Sequence, residues 1–508
     1  FEMPPHNLSN PGRAPRTGFH VSPTALAALL LLAACGGGRV PAGERDQPPD
    51  VVLFLVDTLR ADWTEPGGFD GPTTPHMRAL AEEAVVFEQA HSPAPWTLPS
   101  VVSIFTGRHL PEHNVSREAF RLSASVPTIT ELLAQYGYRT ASYYRNPFAG
   151  PLSGLDRAFE ECVRTTANTG GAALDGFFDG VTSRPYFLYV HNAEPHDPHQ
   201  ARRRFRKHFD PVGEDFLQEY GKLVLSYRVS TRVDYAARPR RPLGTTDNAR
   251  EQSASMARLT ELLPEIENLY SISVRDADDH LGSVIAKIKA RGRWDDTLFI
   301  LLADHGEEMS DHGGWQHDHS LYQELIHVPL IVHLPQGQHA GLRVSTPVSL
   351  VDILSTVLDV TGCPAGEADP SGRSLLPLIE AAGRSEESPD AQPLLLAIRQ
   401  NQRKYYRPYK QSRGDVNVAV RQGRWKAIFD VEPNRLQLYD LRADPGEQRD
   451  LAAEHPQLAS ELKAFAARRY GELLERSVLA AEGGLDRQDA ETLQALKDLG
   501  YVGGADEE

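Results

Sequence analysis

Continuous apolar runs rich in β-branched residues alternate with helix-like segments between residues 51 and 380. The clearest runs, at 51–56 and 297–302, are almost entirely apolar, which is typical of strands buried on both faces of a parallel sheet. Shorter runs predict further strands at 85–87, 139–144, 186–191 and 328–333. Helical periodicity predicts helices at 75–84, 100–106, 126–135, 264–290 and 350–360. The alternation predicts an α/β fold with a doubly wound, mixed or parallel sheet flanked by helices.

The pattern changes after about residue 380, where short β-like segments follow one another and a helix comes last. The segments are at 394–398, 416–421, 425–430 and 436–441, and the helix is at 455–470. They predict a small C-terminal antiparallel sheet with a packed helix. We therefore divide the chain into a main domain, 51–380, and a C-terminal subdomain, 381–508. Within the main domain, 200–262 shows no clear periodicity and is predicted to be an irregular surface excursion.

The first 35 residues have the pattern of an export signal. Arg13 and Arg16 precede an apolar run at 25–34, which ends in L-A-A followed by Cys35. This ending resembles the bacterial lipoprotein box, which implies membrane attachment through a lipidated Cys35 and a flexible tether over 36–50. The alternative is an ordinary secreted protein with a chance cysteine. Both interpretations predict an exported protein, and the first anchors it to a bacterial membrane.

Composition and charge narrow the function further. The chain has 508 residues, 40% hydrophobic and 24% charged, with a net charge of -16. These values are ordinary for a globular protein and exclude general nucleic-acid binding, which requires a basic surface. The basic run 202–207 could attract an anionic surface, although a solvated loop explains it better. Cys162 and Cys363 could form one disulfide or remain two lone thiols.

Polar side chains follow the two clearest strand runs directly. Asp57 comes after the first run, and Asp304 and His305 come just after the second. Because ligand sites in open α/β sheets collect at the carboxyl ends of strands, we expect these three side chains to converge. Two carboxylates and an imidazole can hold a divalent cation, and Gly306 leaves space for close backbone approach. The alternative is that the acidic residues only cap helices or line surface loops.

A second candidate group lies near Thr97. Pro99 opens the helix predicted at 100–106, a position where proline is favoured. Thr97 is therefore expected just before a helix N-terminus, where free N–H groups and the helix dipole favour anions.

Residues 95–108 (PWTLPSVVSIFTGR) resemble the active-site signature of the sulfatases, which is C-x-P-S-R followed by a short apolar helix ending in T-G-R. Other segments resemble motifs of bacterial sulfatases in the same order along the chain. These are 56–62 (VDTLRAD), 187–196 (FLYVHNAEPH), 304–313 (DHGEEMSDHG), 321–332 (LYQELIHVPLIV) and 438–447 (LYDLRADPGE). The resemblance covers about 50–500 and implies the alkaline-phosphatase-like fold, with 51–380 as the catalytic domain.

Departures from the family pattern bear on the chemistry. Thr97 stands where the family has the Cys or Ser that is oxidised to formylglycine, and Val101 stands where it has Arg. A secondary alcohol cannot give that aldehyde, so no formylglycine is expected. Thr58 replaces a second Asp of many sulfatases, and His305 replaces an Asn. Arg145 and Pro147 align with a usual Lys and His.

The resemblance implies a single metal site made of Asp57, Thr97, Asp304 and His305, similar to that of Thr-using relatives in the superfamily. The expected ion is calcium, manganese or magnesium, with zinc as a further option. Thr97 would be the nucleophile. Arg145 and His196 would stabilise the anionic oxygens. The remaining candidates for protonating the leaving group are His191, His317 and His319.

The sequence therefore predicts an enzyme: a metal-dependent hydrolase of sulfuric esters with Thr97 as nucleophile. A phosphodiesterase or phosphoryl transferase of the same superfamily is the first alternative. A non-catalytic, lipid-anchored binding protein is the second. The expected ligand is a small anionic ester, or a sulfated or phosphorylated glycan or lipid.

Overall fold

The computed structural model describes residues 47–116, 119–165, 172–180, 184–199, 203–205, 208–231, 246–384, 393–400 and 416–478. The export signal with Cys35, most of the predicted tether and residues 202, 206 and 207 of the basic run lie outside the described residues. No helix in the described ranges combines the length and apolar character needed to cross a membrane.

A mixed sheet of eight strands lies at the centre of the described part of the chain. The strands of the main domain are β1 (Asp50–Val56), β2 (Val85–Phe87), β3 (Ala90–His91), β4 (Arg139–Tyr144), β5 (Glu161–Arg164), β6 (Tyr186–Asn192), β7 (Thr297–Ala303), β8 (Glu308–Met309), β9 (Trp315–Gln316), β10 (Leu330–His333), β11 (Arg343–Val344) and β12 (Val348–Ser349). The order in the sheet is β11-β2-β10-β7-β1-β6-β4-β5, and β10 runs antiparallel to both of its neighbours. The expected mixed α/β sheet is confirmed.

Helices cover the sheet and bury its apolar side chains. They are α1 (Pro75–Glu83), α2 (Thr97–Thr106), α3 (Leu110–His113), α4 (Ile129–Gln135), α5 (Ala172–Asp179), α6 (Glu214–Thr231), α7 (Thr246–Glu261), α8 (Leu263–Ala290), α9 (Gln323–Ile326), α10 (Asp352–Thr361) and α11 (Leu376–Gly383). Every residue of β1, β6 and β7 is buried, which is why these runs lack an alternating polar pattern. The three strands are parallel neighbours with Val56 opposite both Asn192 and Ala303, so they end at one edge.

The irregular excursion predicted for 200–262 is wrong, because this segment contains helices α6 and α7. The two helices contact each other through Ser255 Oγ and Ser226 Oγ at 3.2 Å and through Arg258 Nε and Glu219 Oε1 at 2.7 Å. Helix α6 also carries an apolar stripe packed against the core, formed by Phe216, Leu217, Tyr220, Leu223 and Val224, which the sequence analysis missed.

The C-terminal sheet has four antiparallel strands in chain order, β13 (Leu394–Gln400), β14 (Val416–Gln422), β15 (Trp425–Asp430) and β16 (Arg435–Asp440). Helix α12 (Pro456–Glu475) covers one face, where Leu462 and Ala466 belong to one apolar cluster with Val418 and Phe429. The other face contributes to a cluster with residues of the main domain such as Leu325. The predicted antiparallel sheet and helix are confirmed.

Both cysteines outside the signal segment are free thiols in the structure. Cys162 is half-buried and Cys363 is buried. Of the two interpretations of these cysteines, the disulfide is therefore wrong. Burial raises the pKa of each thiol to about 11, which keeps both protonated at neutral pH.

Candidate active site

Asp57, Asp304 and His305 meet at the carboxyl edge of the central sheet, as the sequence predicts. They follow the parallel neighbours β1 and β7, and all three side chains are fully buried. Nε2 of His305 lies 3.5 Å from Oδ1 of Asp57 and 3.7 Å from Oδ2 of Asp304. One ligand atom from each residue lies within 4.8 Å of the other two, so the group could hold a metal ion.

Thr97 lies against this group, but it is not outside the helix as expected. Helix α2 begins at Thr97 with Trp96 as its N-cap residue, so the predicted start at 100 is wrong. Pro99 is tolerated inside the first turn because the first N–H groups of a helix have no partner within it. Oγ1 of Thr97 lies 3.2 Å from Nε2 of His305 and 3.5 Å from Oδ1 of Asp57.

The two buried carboxylates of this group give it excess negative charge in the absence of a cation. Burial and the nearby Asp304 carboxylate raise the pKa of Asp57 well above its usual value. Burial raises the pKa of Asp304 to about 7, although the N–H groups of Thr58 and His305 donate to its carboxylate. Burial lowers the pKa of His305, so its imidazole is neutral, as a metal ligand must be.

The hydrogen bonds of the group also fit a metal ion. Nδ1 of His305 lies 2.8 Å from the carbonyl oxygen of Gly306, so Nδ1 carries the proton and Nε2 offers its lone pair to the cluster. Oδ2 of Asp304 is buried and has no hydrogen-bond donor in the part of the chain that the structure describes. Two carboxylates and a neutral imidazole, with one oxygen left over, are a donor set that a divalent cation matches.

Asn146 is a site residue that the sequence analysis missed. Its Nδ2 lies 2.9 Å from Oδ2 of Asp57 and 3.3 Å from Oγ1 of Thr97. Its Oδ1 accepts from the N–H of Phe148 at 3.1 Å, which fixes the amide with Nδ2 toward the site. Asn146 comes two residues after β4, whose parallel end reaches the same edge of the sheet. The strand-end argument used for Asp57 could therefore have found it.

His191, on β6, lies beside Asp57, with its Nε2 3.8 Å from Oδ2 of the carboxylate. Its ring is fully buried, and burial lowers its pKa to about 3. A ring with so low a pKa is neutral across the physiological range.

His317 and His196 lie together next to the candidate metal ligands. The ring of His317 lies 4.5 Å from that of His305 and 5.2 Å from that of His196. Nδ1 of His317 contacts Oε1 of Glu307 at 2.9 Å, which directs the opposite side of the ring away from that carboxylate. His319 is held differently, because its Nε2 contacts Oε2 of Glu308. Of the two histidines, His317 is the one whose ring contacts a metal-ligand candidate.

Arg145 is paired with a buried carboxylate. Its Nη1 lies 2.8 Å from Oε1 of Glu194, and the two side chains are 23% and 3% exposed. The charge of the guanidinium is therefore partly neutralised in this geometry. The guanidinium has further N–H groups that could donate to the oxygens of an anionic ester.

The backbone around Asp304 is held from two sides. The hydroxyls of Ser92 and Ser100 both donate to its carbonyl oxygen, the second at 2.7 Å. On the other side, a Cβ placed on Gly306 would lie 2.0 Å from the carbonyl oxygen of Glu324. The close approach expected at Gly306 is confirmed, and it lets the chain turn directly after Asp304 and His305.

The sequence profile of the sulfatase family matches residues 49–363, more than half of the chain. The chain belongs to the sulfatase family. A second profile, the C-terminal region of N-sulphoglucosamine sulphohydrolase, matches residues 311–468. As a sulfatase-family protein it is an ester hydrolase of the sulfuric and phosphoric ester class, so the predictions of family and of an enzyme are confirmed.

Known sulfatases align with most of the chain. A choline-sulfatase of Rhizobium meliloti (strain 1021) is 25% identical over 465 residues, covering 80% of this chain and 83% of that protein. An N-acetylglucosamine-6-O-sulfatase of Bacteroides thetaiotaomicron is 22% identical, covering 86% and 88%. A phosphonate monoester hydrolase of Agrobacterium radiobacter has the same fold, with a TM-score of 0.62, 19% identity and coverage of 85% and 96%. This likeness confirms the sulfatase-type fold.

Proposed function

We propose that this protein is a metal-dependent hydrolase of sulfuric esters in which Thr97 is the nucleophile. The observation that carries the proposal is the position of the Thr97 hydroxyl, 3.2 Å from His305 and 3.5 Å from Asp57 at the first turn of helix α2. A nucleophile at a helix N-terminus faces the N–H groups and dipole that favour an anionic ester group.

Asp57, Asp304 and His305 would hold one divalent cation together with the Thr97 oxygen. Calcium, manganese and magnesium suit the two carboxylates, and zinc suits the imidazole. When bound, the ion supplies Lewis-acid chemistry that lowers the pKa of a nearby hydroxyl and offsets negative charge. Asn146 donates to both Asp57 and Thr97, which orients the hydroxyl oxygen relative to the carboxylate.

The chain's own residues account for the bonds that change. The Thr97 hydroxyl releases its proton to solvent and its oxygen attacks sulfur; a Thr97–sulfate ester forms, and the bond from sulfur to the leaving alcohol breaks. Arg145 and His196 contact the anionic oxygens. The leaving oxygen takes a proton from His317, the candidate acid whose ring contacts His305, rather than from the neutral His191 or the Glu308-bound His319. Water then hydrolyses the ester.

The same site supports a second candidate function, a phosphodiesterase or phosphoryl transferase. Thr97 carries one hydroxyl, so a covalent ester on it can turn over only through attack at sulfur or phosphorus. Phosphoryl groups undergo such in-line displacement readily. The non-catalytic binding protein is less favoured, because Asp57, Asp304 and His305 still converge with complementary chemistry.

The proposed substrate is a small anionic ester or a sulfated or phosphorylated glycan or lipid. The names of the relatives, a choline-sulfatase and an N-acetylglucosamine-6-O-sulfatase, support a sulfated small molecule. We further propose export and lipid anchoring at Cys35. Loss of the membrane-bound fraction in Cys35→Ser would support the anchor, and unchanged fractionation would exclude it.

The nucleophile is tested with a matched pair of variants. Thr97→Val keeps the shape of the side chain and removes the hydroxyl, whereas Thr97→Ser keeps a hydroxyl. Turnover of an aryl sulfate, a phosphate monoester and a phosphate diester is measured with calcium, magnesium, manganese and zinc. We expect turnover to be lost in Thr97→Val and retained in part in Thr97→Ser. Equal turnover in wild type and Thr97→Val would overturn the nucleophile.

Mass spectrometry of the active-site peptide after substrate exposure identifies the ester class. A sulfo adduct on Thr97 supports a sulfatase, and a phospho adduct supports the second candidate. The two adducts differ little in mass, so high mass accuracy is required. Tight metal binding with no turnover on any ester would instead indicate a binding protein.

A further inference from the structure

A row of four polar residues crosses the C-terminal sheet from its outer strand to the active site. Arg399 on β13 is opposite Asn417, Asn417 is opposite Asp430 on β15, and Asp430 is opposite Arg435 on β16. Nη1 of Arg399 donates to Oδ1 of Asn417 at 2.8 Å, and Nδ2 of Asn417 donates to Oδ1 of Asp430 at 2.5 Å. Nη2 of Arg435 completes the row at 2.9 Å from Oδ2 of Asp430.

The inner end of this row reaches the loop that carries His317 and His319. Nε of Arg399 donates to the carbonyl oxygen of Asp318 at 2.7 Å. The N–H of Asp318 in turn donates to the carbonyl oxygen of Pro95 at 2.9 Å, two residues before Thr97. One guanidinium thus contacts the histidine loop, and that loop contacts the segment that leads into the nucleophile.

The backbone of the histidine loop includes two residues in an unfavourable conformation, which contacts from outside the loop stabilise. Gln316 and Asp318 have φ values of 68° and 78°, in the left-handed region that non-glycine residues rarely adopt. Such residues persist where surrounding contacts determine their conformation. Gln316 is fixed by its Nε2, which donates to Oδ2 of Asp197 at 2.8 Å. Arg399 supplies the corresponding contact at Asp318.

Burying these four polar residues costs more desolvation free energy than burying apolar residues would, so the row is expected to have a role other than packing. Arg399 is 6% exposed and Asn417 and Asp430 are fully buried, whereas the side chain of Arg435 is 47% exposed. Apolar residues in such a row would cost less desolvation and often give equal or higher stability. The polar row fixes an orientation: the hydrogen bond that the Arg399 guanidinium donates to Asn417 keeps the Nε–H of Arg399 directed at the Asp318 carbonyl.

We propose that Arg399 is a positioning residue, which acts through the Asp318 carbonyl to keep His317 against the metal-ligand group. The proposal rests on the proposed function, because it assigns His317 to the reaction at Thr97. According to this proposal, the C-terminal sheet contributes to the active site, because one of its residues orients His317.

The test compares Arg399→Gln with Arg421→Gln. Arg421 lies on β14, is similarly buried at 8%, and donates to Gln89 and to the carbonyl of Gly423, away from the histidine loop. Both variants lose a buried guanidinium, so both should lose stability. We expect kcat to fall roughly 10- to 100-fold in Arg399→Gln with KM within about twofold, since misplacing a reacting group has effects of this size. Arg421→Gln should keep its kcat.

A second variant tests the row itself. Asn417→Ala removes the brace but leaves Arg399 in place, so we expect a smaller fall in kcat. The double variant should have the kcat of Arg399→Gln alone, because the two residues act in series. Additive effects of the two substitutions would overturn the row, and an unchanged kcat in Arg399→Gln would overturn the positioning role.

Amide hydrogen exchange gives a reading that does not depend on turnover. The Asp318 amide should exchange faster in Arg399→Gln than in wild type or Arg421→Gln. Unchanged exchange would refute the contact even if no ester is turned over. Activity that survives in Thr97→Val would refute the proposed nucleophile but not this contact, so the two failures are distinguishable.

Discussion

Nδ2 of Asn146 donates to Oδ2 of Asp57 over 2.9 Å, and both side chains are fully buried. The bond reaches across the width of one strand, because Asn146 follows β4, Asp57 follows β1, and β6 lies between them. A neutral donor bound to a buried carboxylate stabilises its charged form. Asn146 therefore favours the charged form of Asp57 without adding a charge of its own, and so opposes the burial that raises the pKa of this carboxyl.

We predict that Asn146→Ala lowers kcat by roughly 10- to 100-fold, because it leaves Asp57 and the Thr97 hydroxyl without this donor. Asn146→Asp should lose more activity, since a carboxylate cannot donate and adds repulsion at Asp57. The measurement is steady-state turnover at saturating metal. Asn268→Ala, which removes an exposed amide bonded to the carbonyl of Asp210, is the control. Equal activity in Asn146→Ala and the control would exclude Asn146 from the site.

The ion pair of Arg145 and Glu194 predicts opposite effects on substrate binding. Arg145→Ala removes a cation from the site, so the KM for an anionic ester should rise, by roughly tenfold. Glu194→Gln removes the carboxylate that partly neutralises Arg145, so KM should fall. Both shifts should shrink at high salt. The control is Arg121→Ala, whose partly exposed side chain pairs with Asp156 at 3.8 Å. Parallel changes in KM for Arg145→Ala and Glu194→Gln would contradict an anion-binding Arg145.

Metal binding should stabilise the protein more as the pH rises. The pKa of Asp57 is raised well above its usual value and that of Asp304 to about 7, so protons compete with the cation in mildly acidic solution. At about 100-fold excess over Kd, a bound ion stabilises the fold by about 3 kcal/mol. Thermal unfolding with and without chelator should therefore show a larger shift in Tm at pH 8 than at pH 5.

The control for metal binding is a pair of buried aspartates. Asp304→Asn should lose the metal-dependent shift in Tm. Asp352→Asn should keep it, because Asp352 accepts the N–H groups of Ser349 and Arg373, neither of which belongs to the candidate metal-ligand group. A shift in Tm that survives in Asp304→Asn would place the ion elsewhere.

Strand ends were predictable from the sequence, whereas side-chain partners were not. The run before Asp57 and the run before Asp304 are buried on both faces, so their ends, and hence the metal group, could be located without coordinates. Asn146 also follows a predicted strand, at 139–144, but its partners Asp57 and Thr97 lie in distant segments, and nothing in the local pattern marks an amide as their donor.

The limits of the sequence are clearest where one contact joins distant segments. Nothing in the local pattern relates Arg399 to Asp318 or Arg145 to Glu194, because these pairs depend on how strands are ordered in space. The start of helix α2 was misplaced for a similar reason. The residue before a proline is disfavoured in the helical conformation, so Pro99 favours a helix that begins after Leu98, and tertiary burial of Thr97 and Leu98 overrides this preference.

Asp278 in helix α8 is expected to affect stability rather than catalysis. Its two oxygens accept the N–H groups of His76 and Met77 at 2.9 and 2.8 Å, which caps the first turn of α1. Burial nevertheless raises the pKa of Asp278 to about 7. A folded-state pKa above the unfolded value means that the protonated carboxyl stabilises the fold. This contribution is complete below about pH 4 and is lost as the pH rises through about 7.

Between about pH 4 and pH 8, the free energy of unfolding should therefore fall less in Asp278→Asn than in wild type. The difference between the two decreases should be at most about 4 kcal/mol. At pH 5 the variant should be less stable than wild type by about 1–3 kcal/mol, because an amide accepts from only one side and leaves one buried N–H unpaired. At pH 8 the difference should shrink or reverse, because only wild type then carries a buried charge. Urea unfolding at several pH values measures the difference in the free energy of unfolding between the variant and wild type. The contributions of other titrating groups are the same in both proteins and cancel in this difference. Parallel curves for Asp278→Asn and wild type would rule out a titrating Asp278.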